Sequence, residues 1–259
     1  MPIVTQHAPG TFCWPELAST DANAVRPFYA QLFGWTHTDN PMGPEMVYTI
    51  FHKDGKDVAA LYTMMPDMKA QGVPAHWASY VSCEDVNASA AKAAELGATV
   101  IMPPMDVMEH GRMAVLQDPS GAMVSLWQAK QNIGIHVHGE PNSLGWTQLN
   151  STAPEKAKPF YTGLFGWTFR DDPSPMGTYT TFLKADGAAG GMLPMPAGAG
   201  APSHWLVYWA VTDVAASHAQ AVALGGRSFV PPTDFGAGIM SVLSDPQGAM
   251  FALVTFRTA

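Results

Sequence analysis

Apolar positions along the chain follow two periods that succeed each other in a fixed order. Strand-like "WPELAST" (Trp14–Thr20) leads into "DANAVRPFYAQLFG", where Val25, Phe28, Tyr29, Leu32 and Phe33 keep helical spacing. Asp21 stands where an N-cap belongs and Gly34 lies just past the helix end. Three short strand patterns follow, "GWTHT", "MVYTIFH" and "DVAALYTM". From His76 the order recurs: strand "HWASYVSC", helix "DVNASAAKAAELG", then strands "ATVIM", "RMAVLQD" and "MVSLWQ". The pattern predicts a βαβββ module twice over. A single four-stranded sheet with a helix on one face leaves its other face uncovered, so two modules are expected to face each other around a cup.

The whole arrangement is then repeated. "RPFYAQLFGWT" (Arg26–Thr36) returns as "KPFYTGLFGWT" (Lys158–Thr168), an offset of 132 (158 minus 26). "HWASYVSCEDV" returns as "HWLVYWAVTDV" at an offset of 128 (204 minus 76), and "DPSGAM" as "DPQGAM" at 127 (245 minus 118). Offsets this similar along the chain mean tandem halves. The expected organisation is α+β: four βαβββ modules paired into two domains, 11–128 (modules 11–65 and 76–128) and 143–257 (modules 143–195 and 204–257). The polar, Gly- and Pro-containing stretch 129–142 is expected to link them. "MPDMKAQGVPAHW" and its counterpart "MPAGAGAPSHW" (Met195–Trp205) join the modules within each half, as flexible connectors or as lids.

Composition narrows the partners. A chain of 259 residues that is 47% hydrophobic can fill two ordinary cores. Its net charge of −8, with no run of Lys or Arg, disfavours nucleic acid and anionic membrane surfaces, and no apolar run is long enough to span a bilayer. "MPIVTQHAPG" has neither the basic nor the apolar region of an export signal. Cys13 and Cys83, without a CxxC, fit buried thiols in a reducing cytoplasm.

The βαβββ modules, the "FYAQLFGW" and "FYTGLFGW" helix ends and the "DPSGA" and "DPQGA" turns resemble the vicinal oxygen chelate superfamily, in its tandem two-domain bacterial form. That superfamily includes glyoxalase I, extradiol dioxygenases and bleomycin-binding proteins, and the likeness covers roughly Thr11 to Phe256. One scaffold hosts metal enzymes and metal-free binders alike. In metal-using relatives a His or Gln opens the first strand of a module, a fixed count before the Asp that precedes the helix. A Glu follows the Asp-Pro-x-Gly turn. Transferred to this chain, those positions are Trp14, Ala78, Trp146, Leu206, Ser125 and Ala252. None is an ordinary ligand for a divalent ion. No metal and no other cofactor is therefore expected, and a divalent ion at a relocated site is the alternative.

The resemblance turns the ligand positions inward, and strand alternation turns their neighbours two residues away inward with them. The N-terminal cup then shows Phe12, Trp14, Glu16, Ala18, His76 and Tyr80, with Ser125 and Trp127 on its last strand. The C-terminal cup shows Trp146, Gln148, Asn150, His204 and Tyr208. Glu16 and His76 are the candidate catalytic pair. Trp14, Tyr80, Ser125, Trp127, Trp146, Gln148, His204 and Tyr208 are the candidate ligand contacts. His76 and His204 read as strand-opening residues bonded to a backbone carbonyl, as acid/base groups, or as metal ligands, and the sequence leaves all three open. Gln148 cannot take up a proton, so chemistry confined to one cup belongs to the N-terminal one.

Three functions follow. The first is binding of a small apolar or aromatic molecule in a cup. The second is an enzyme of the lyase, isomerase or dioxygenase kind, working through Glu16 and His76 as acid and base or through a relocated metal. The third is a structural protein whose cups are filled. Each half supplies its own pair of modules, so a monomer is expected and a dimer is the alternative.

Overall fold

The computed structural model describes residues 3–43, 46–174, 177–196, 198 and 200–257. The N-terminal half runs β1 (Phe12–Ser19), α1 (Ala22–Phe33), β2 (Thr36–Pro41), β3 (Val47–Lys53), β4 (Lys56–Thr63), a short α2 (Pro66–Ala70), β5 (His76–Ser82), α3 (Val86–Glu95), β6 (Thr99–Val107), β7 (Gly111–Gln117) and β8 (Met123–Ala129). The C-terminal half runs β9 (Ser143–Ser151), α4 (Pro154–Phe165), β10 (Thr168–Ser174), β11 (Gly177–Lys184), β12 (Gly187–Pro194), β13 (His204–Ala210), α5 (Val214–Ala223), β14 (Arg227–Asp234), β15 (Gly238–Ser244) and β16 (Met250–Phe256). The segment read as a plain connector before His76 contains α2. Within its counterpart, Ala197 and Ala199 lie outside the described residues.

The helices start and stop where their caps dictate. Asp21, Asp85 and Asp213 each accept a backbone N–H of the first helical turn, at 3.1 Å from Ala24, 2.7 Å from Asn87 and 3.0 Å from Ala216. The third module has Ala153 there instead and begins its helix with Pro154, whose missing N–H needs no partner. Gly34 and Gly166 end α1 and α4 in the left-handed region, at φ 68° and 71°.

Each half forms one eight-stranded sheet, ordered β2-β3-β4-β1-β5-β8-β7-β6 and β10-β11-β12-β9-β13-β16-β15-β14. The two modules of a half join edge to edge, where the sequence suggested separate sheets facing each other. β1 runs antiparallel to β5, with Trp14 opposite Tyr80, Glu16 opposite Ala78 and Ala18 opposite His76. Pairing the module edges removes two exposed strand edges, and twist accumulated over eight strands curls the sheet into the cup.

The helices cover the convex faces, and there the two halves share one core. α1 packs near α5 and α3 near α4. Trp35 meets Trp209 at 5.0 Å between ring centroids, and Phe28 meets Phe251 at 6.0 Å. Phe12 corrects the alternation. A register shift between Phe12 and Trp14 turns its ring out of the cup, and it packs on Trp205 at 4.8 Å. Two crossed hydrogen bonds tie the halves together: Tyr29 donates to Asp245 at 2.9 Å and Tyr161 to Asp118 at 2.7 Å. Both aspartates are buried in their Asp-Pro-x-Gly turns, where each also accepts backbone N–H groups. The stretch after β8 is not a free tether. Ile135 and Val137 are buried, and the amides of Ile135 and His136 donate to the carbonyls of Cys13 and Asp57. Among the described residues no helix is long and apolar enough to cross a membrane.

Candidate functional site

The N-terminal cup is built as rows of side chains across neighbouring strands. One row runs Tyr48, Tyr62, Ala18, His76, and the next runs Ile50, Ala60, Glu16, Ala78. A third begins at Trp14 and continues through Tyr80, Ser125 and Val115. Register therefore brings Glu16 among three tyrosines. Tyr48 donates to Glu16 Oε2 at 2.6 Å and Tyr80 donates to Oε1 at 2.9 Å. The Trp14 indole N–H donates in turn to the Tyr48 hydroxyl at 3.0 Å. Glu16 keeps some contact with solvent although protein encloses its carboxyl.

Burial pushes the Glu16 carboxyl above its ordinary range, and the hydroxyls of Tyr48 and Tyr80 pull it part of the way back. Burial and the Glu16 charge push Tyr48 and Tyr80 far up, so both remain protonated donors. The protonation states are coupled through the bonds. As a carboxylate, Glu16 accepts one proton-bearing hydroxyl on each oxygen. As an acid it must donate one of those bonds. A Tyr80 hydroxyl that accepts it is free to turn its own O–H toward whatever occupies the cup, and passes a proton on only as it receives one from Glu16. The arrangement can take up, hold and hand over one proton.

His76 opens β5 on the same face, and its Nδ1–H donates to the Pro74 carbonyl at 2.8 Å. A carbonyl can only accept, so in the neutral ring Nε2 is the acceptor. Glu16 and His76 share the cup, but no hydrogen bond joins them. Ser125 is buried beside Tyr80. Trp127 turns its edge to the Tyr80 ring at 6.3 Å and donates to the Asn132 carbonyl at 2.9 Å. The wall beyond carries methionines: Met113 lies opposite Met105 on one side and Trp127 on the other, and Met102 lies opposite Val115. Met102, Met105 and Met123 are exposed. Exposed, polarizable thioethers next to a buried indole suit a flat apolar surface.

The C-terminal cup keeps the register and changes the chemistry. Gln148 donates to Asn150 at 2.8 Å, Asn150 meets His204 Nε2 at 3.1 Å, and His204 Nδ1 donates to the Pro202 carbonyl at 2.9 Å. This series of hydrogen bonds includes no carboxylate. Trp146 donates to Tyr179 at 2.8 Å, and burial pushes Tyr179 up to about 12. Tyr179 lies over Gly191, where a Cβ would come within 1.9 Å of its hydroxyl. Leu206, Tyr208, Ala252 and Val254 are buried together, with Trp146, Phe235, Met240, Val242 and Met250 packed on them.

The donor set does not fit the metal that the resemblance implies. Trp14, Ala78 and Ser125 offer an indole, a methyl and a hydroxyl, and the one carboxylate is engaged by two tyrosines. Among the described residues no three His, Cys, Asp or Glu side chains come together as a metal site. The sequence reading placed Trp14, Glu16 and Tyr80 together, and they are bonded through one network. It overlooked Tyr48 and Tyr62, and with them Tyr179. "MVYTIFH" signals a strand, but β3 reaches β1 only through β4, and that pairing is not written in local alternation.

Each half is a paired βαβββ sheet with a cup on the face opposite its helices, the architecture of glyoxalases and extradiol dioxygenases. Residues 12–126 match the family model of the Glyoxalase/Bleomycin resistance protein/Dioxygenase superfamily, and residues 146–254 match that of the Glyoxalase-like domain. The chain belongs to the glyoxalase/bleomycin resistance protein/dioxygenase superfamily. It is 39% identical over 259 residues to "Putative glyoxylase CFP32" of Mycobacterium tuberculosis (strain CDC 1551 / Oshkosh), covering 98% of both chains. It is 34% identical over 264 residues to "Anthracycline biosynthesis protein DnrV" of Streptomyces peucetius, covering 98% of this chain and 96% of that one. Among solved structures, the Mn(II)-bound glyoxalase from Novosphingobium aromaticivorans shares the fold at a TM-score of 0.66 and 14% identity, over 95% of this chain and 82% of that one.

Proposed function

We propose that the chain binds a small, flat, apolar or aromatic molecule in the N-terminal cup, without the superfamily's usual metal site. The Glu16 network carries this reading: one carboxyl on an otherwise aromatic floor, held by Tyr48 and Tyr80, with buried Trp127 and a row of methionines on the strands beyond. Trp14, Tyr80 and Trp127 supply the apolar contacts, and Ser125 and His76 Nε2 add polar ones. The anthracycline biosynthesis relatives support a polycyclic aromatic as the first compound class to try. The C-terminal cup carries an apolar cluster and no carboxyl, which makes the N-terminal cup the one we assign to the ligand. Each half supplies its own module pair, so the protein works as a monomer.

The test is a tryptophan-fluorescence titration with a series of anthraquinones and smaller phenols, repeated on Trp14→Phe and Trp127→Phe, with metal content measured on the same preparation. Saturable binding weakened by both substitutions supports the reading. Binding that disappears with a chelator and returns with a divalent ion overturns its metal-free part.

A second reading is favoured by the raised Glu16 carboxyl: general acid/base chemistry on the bound molecule, with Glu16 taking the proton and Tyr80 passing it on. Glu16→Gln separates the two. Unchanged affinity with loss of product formation makes the protein an enzyme of isomerase or lyase type. Unchanged affinity with no product from either form leaves sequestration.

A further inference from the structure

The linker and the amino-terminal arm are counterparts in the tandem repeat. "IHVHGEPN" (Ile135–Asn142) aligns with "IVTQHAPG" (Ile3–Gly10) at the offset of 132 (135 minus 3) that also relates α4 to α1. The structure keeps this symmetry at one end. Gly10 and Asn142 both take positive φ, 78° and 63°. Their amides donate to the carbonyls of Ser82 and Ala210, and their carbonyls accept from the indoles of Trp167 and Trp35.

The symmetry then breaks. In the N-terminal half β1 and β4 are laddered only from Glu16 and Ala60 onward, and the linker fills the split before them. Ile135 donates to the Cys13 carbonyl at 2.8 Å and His136 to the Asp57 carbonyl at 2.9 Å, with Ile135 fully buried. In the C-terminal half β9 and β12 are likewise laddered only from Gln148 and Gly191. There the arm stays out: Val4 donates to the His136 carbonyl, and Ile3 is 54% exposed. The split is left as a cavity of about 620 Å³ lined by Gly145, Trp146, Ala188 and Ala189, with the arm as its outer wall. Among the described residues no loop or arm N–H reaches the carbonyls of Gly145 or Ala188. The linker enters its own split through Gly134, where a Cβ would come within 2.1 Å of the Cys13 carbonyl oxygen. The arm's sequence has no glycine at the corresponding place.

We propose that the split between β9 and β12 is a strand-acceptor site for an extended peptide carrying a small residue followed by an aliphatic one. Two consecutive N–H groups of the peptide pair with the carbonyls of Gly145 and Ala188, and the aliphatic side chain enters the cavity, as Ile135 does in the other half. Apart from Trp146, which borders both, this site is separate from the cups and does not depend on a ligand in the N-terminal one.

The probe is the linker's own sequence as a blocked hexapeptide, Asn-Ile-Gly-Ile-His-Val, labelled for fluorescence anisotropy against the full chain. Saturable one-to-one binding is expected. A control peptide with proline in place of the second isoleucine lacks the first N–H and binds about tenfold more weakly. Ala189→Leu fills the cavity and abolishes binding. The proposal is overturned by equal binding of both peptides, or by none up to millimolar concentration. Binding that appears only after Ile3–Gln6 are removed also overturns it and assigns the split to the chain's own arm.

Discussion

The two cups share a backbone register and a Trp–Tyr bond, yet only one of them has a carboxyl group at its centre. In the N-terminal cup Glu16 faces Tyr48 and Tyr80, and Ala18 separates it from His76. In the C-terminal cup Gln148 stands in its place, Asn150 replaces Ala18, and Leu193 replaces Tyr62. Asn150 closes a chain of side-chain hydrogen bonds from Gln148 to His204 that stays within the protein. A polar row satisfied from within needs no ligand. The row around Glu16 is satisfied in one protonation state and must rearrange in the other.

The most forceful way to break the comparison is Gln148→Glu. Tyr179 and Tyr208 stand at the register positions of Tyr48 and Tyr80, but among the described residues neither donates to Gln148, so the introduced carboxylate enters a row arranged around a neutral amide. Burial raises its pKa, so its cost is absent at acid pH and grows as pH rises through the folded value. A loss of about 2 kcal/mol in stability is expected at mildly alkaline pH, read from urea midpoints across the pH range. An unchanged midpoint would mean that the C-terminal cup already tolerates charge. Glu16→Ala comes next. It leaves two buried hydroxyls without an acceptor and costs about 1–3 kcal/mol. The matching Gln148→Ala should cost about 1 kcal/mol, because its amide gives up a single neutral bond.

Smaller substitutions sharpen the difference. Tyr80→Phe removes one hydroxyl that favours the charged form, so the Glu16 carboxyl moves further up and about 1 kcal/mol of stability is lost at neutral pH. Infrared titration of the carboxyl stretch reads that shift directly. Glu16→Gln is expected to have the mildest effect and the opposite sign. A carboxyl raised by burial adds stability at low pH that is lost as pH climbs through its folded value. Its amide replacement should therefore leave stability flatter with pH and higher by a few tenths of a kcal/mol above neutrality. A wild-type profile already flat from acid to alkaline pH would show that Glu16 is not perturbed.

Repetition made the fold legible in the sequence. Four recurrences of one strand and helix order, Asp at three helix starts and Gly at two helix ends left little freedom in the module. The cup was half legible. Alternation along β1 and β5 put Trp14, Glu16, His76 and Tyr80 on one face, because pleating is a local property. Tyr48 and Tyr62 were not legible, since they meet Glu16 across two strand pairings whose register is settled by the assembled sheet. Phe12 was misread for a related reason: a one-residue bulge turns every side chain before it to the opposite face. His76 kept an ambiguity that only its Pro74 bond reduces, by fixing which ring nitrogen carries the proton.

The crossed bonds Tyr29–Asp245 and Tyr161–Asp118 mean that neither half completes its own turn chemistry. Severed at the junction, each fragment would carry an aspartate deprived of its phenol and a tyrosine deprived of its acid. Such fragments recover partners only in each other. For a gene built by duplication, that exchange makes fission difficult to reverse into two independent proteins, however alike the copies remain.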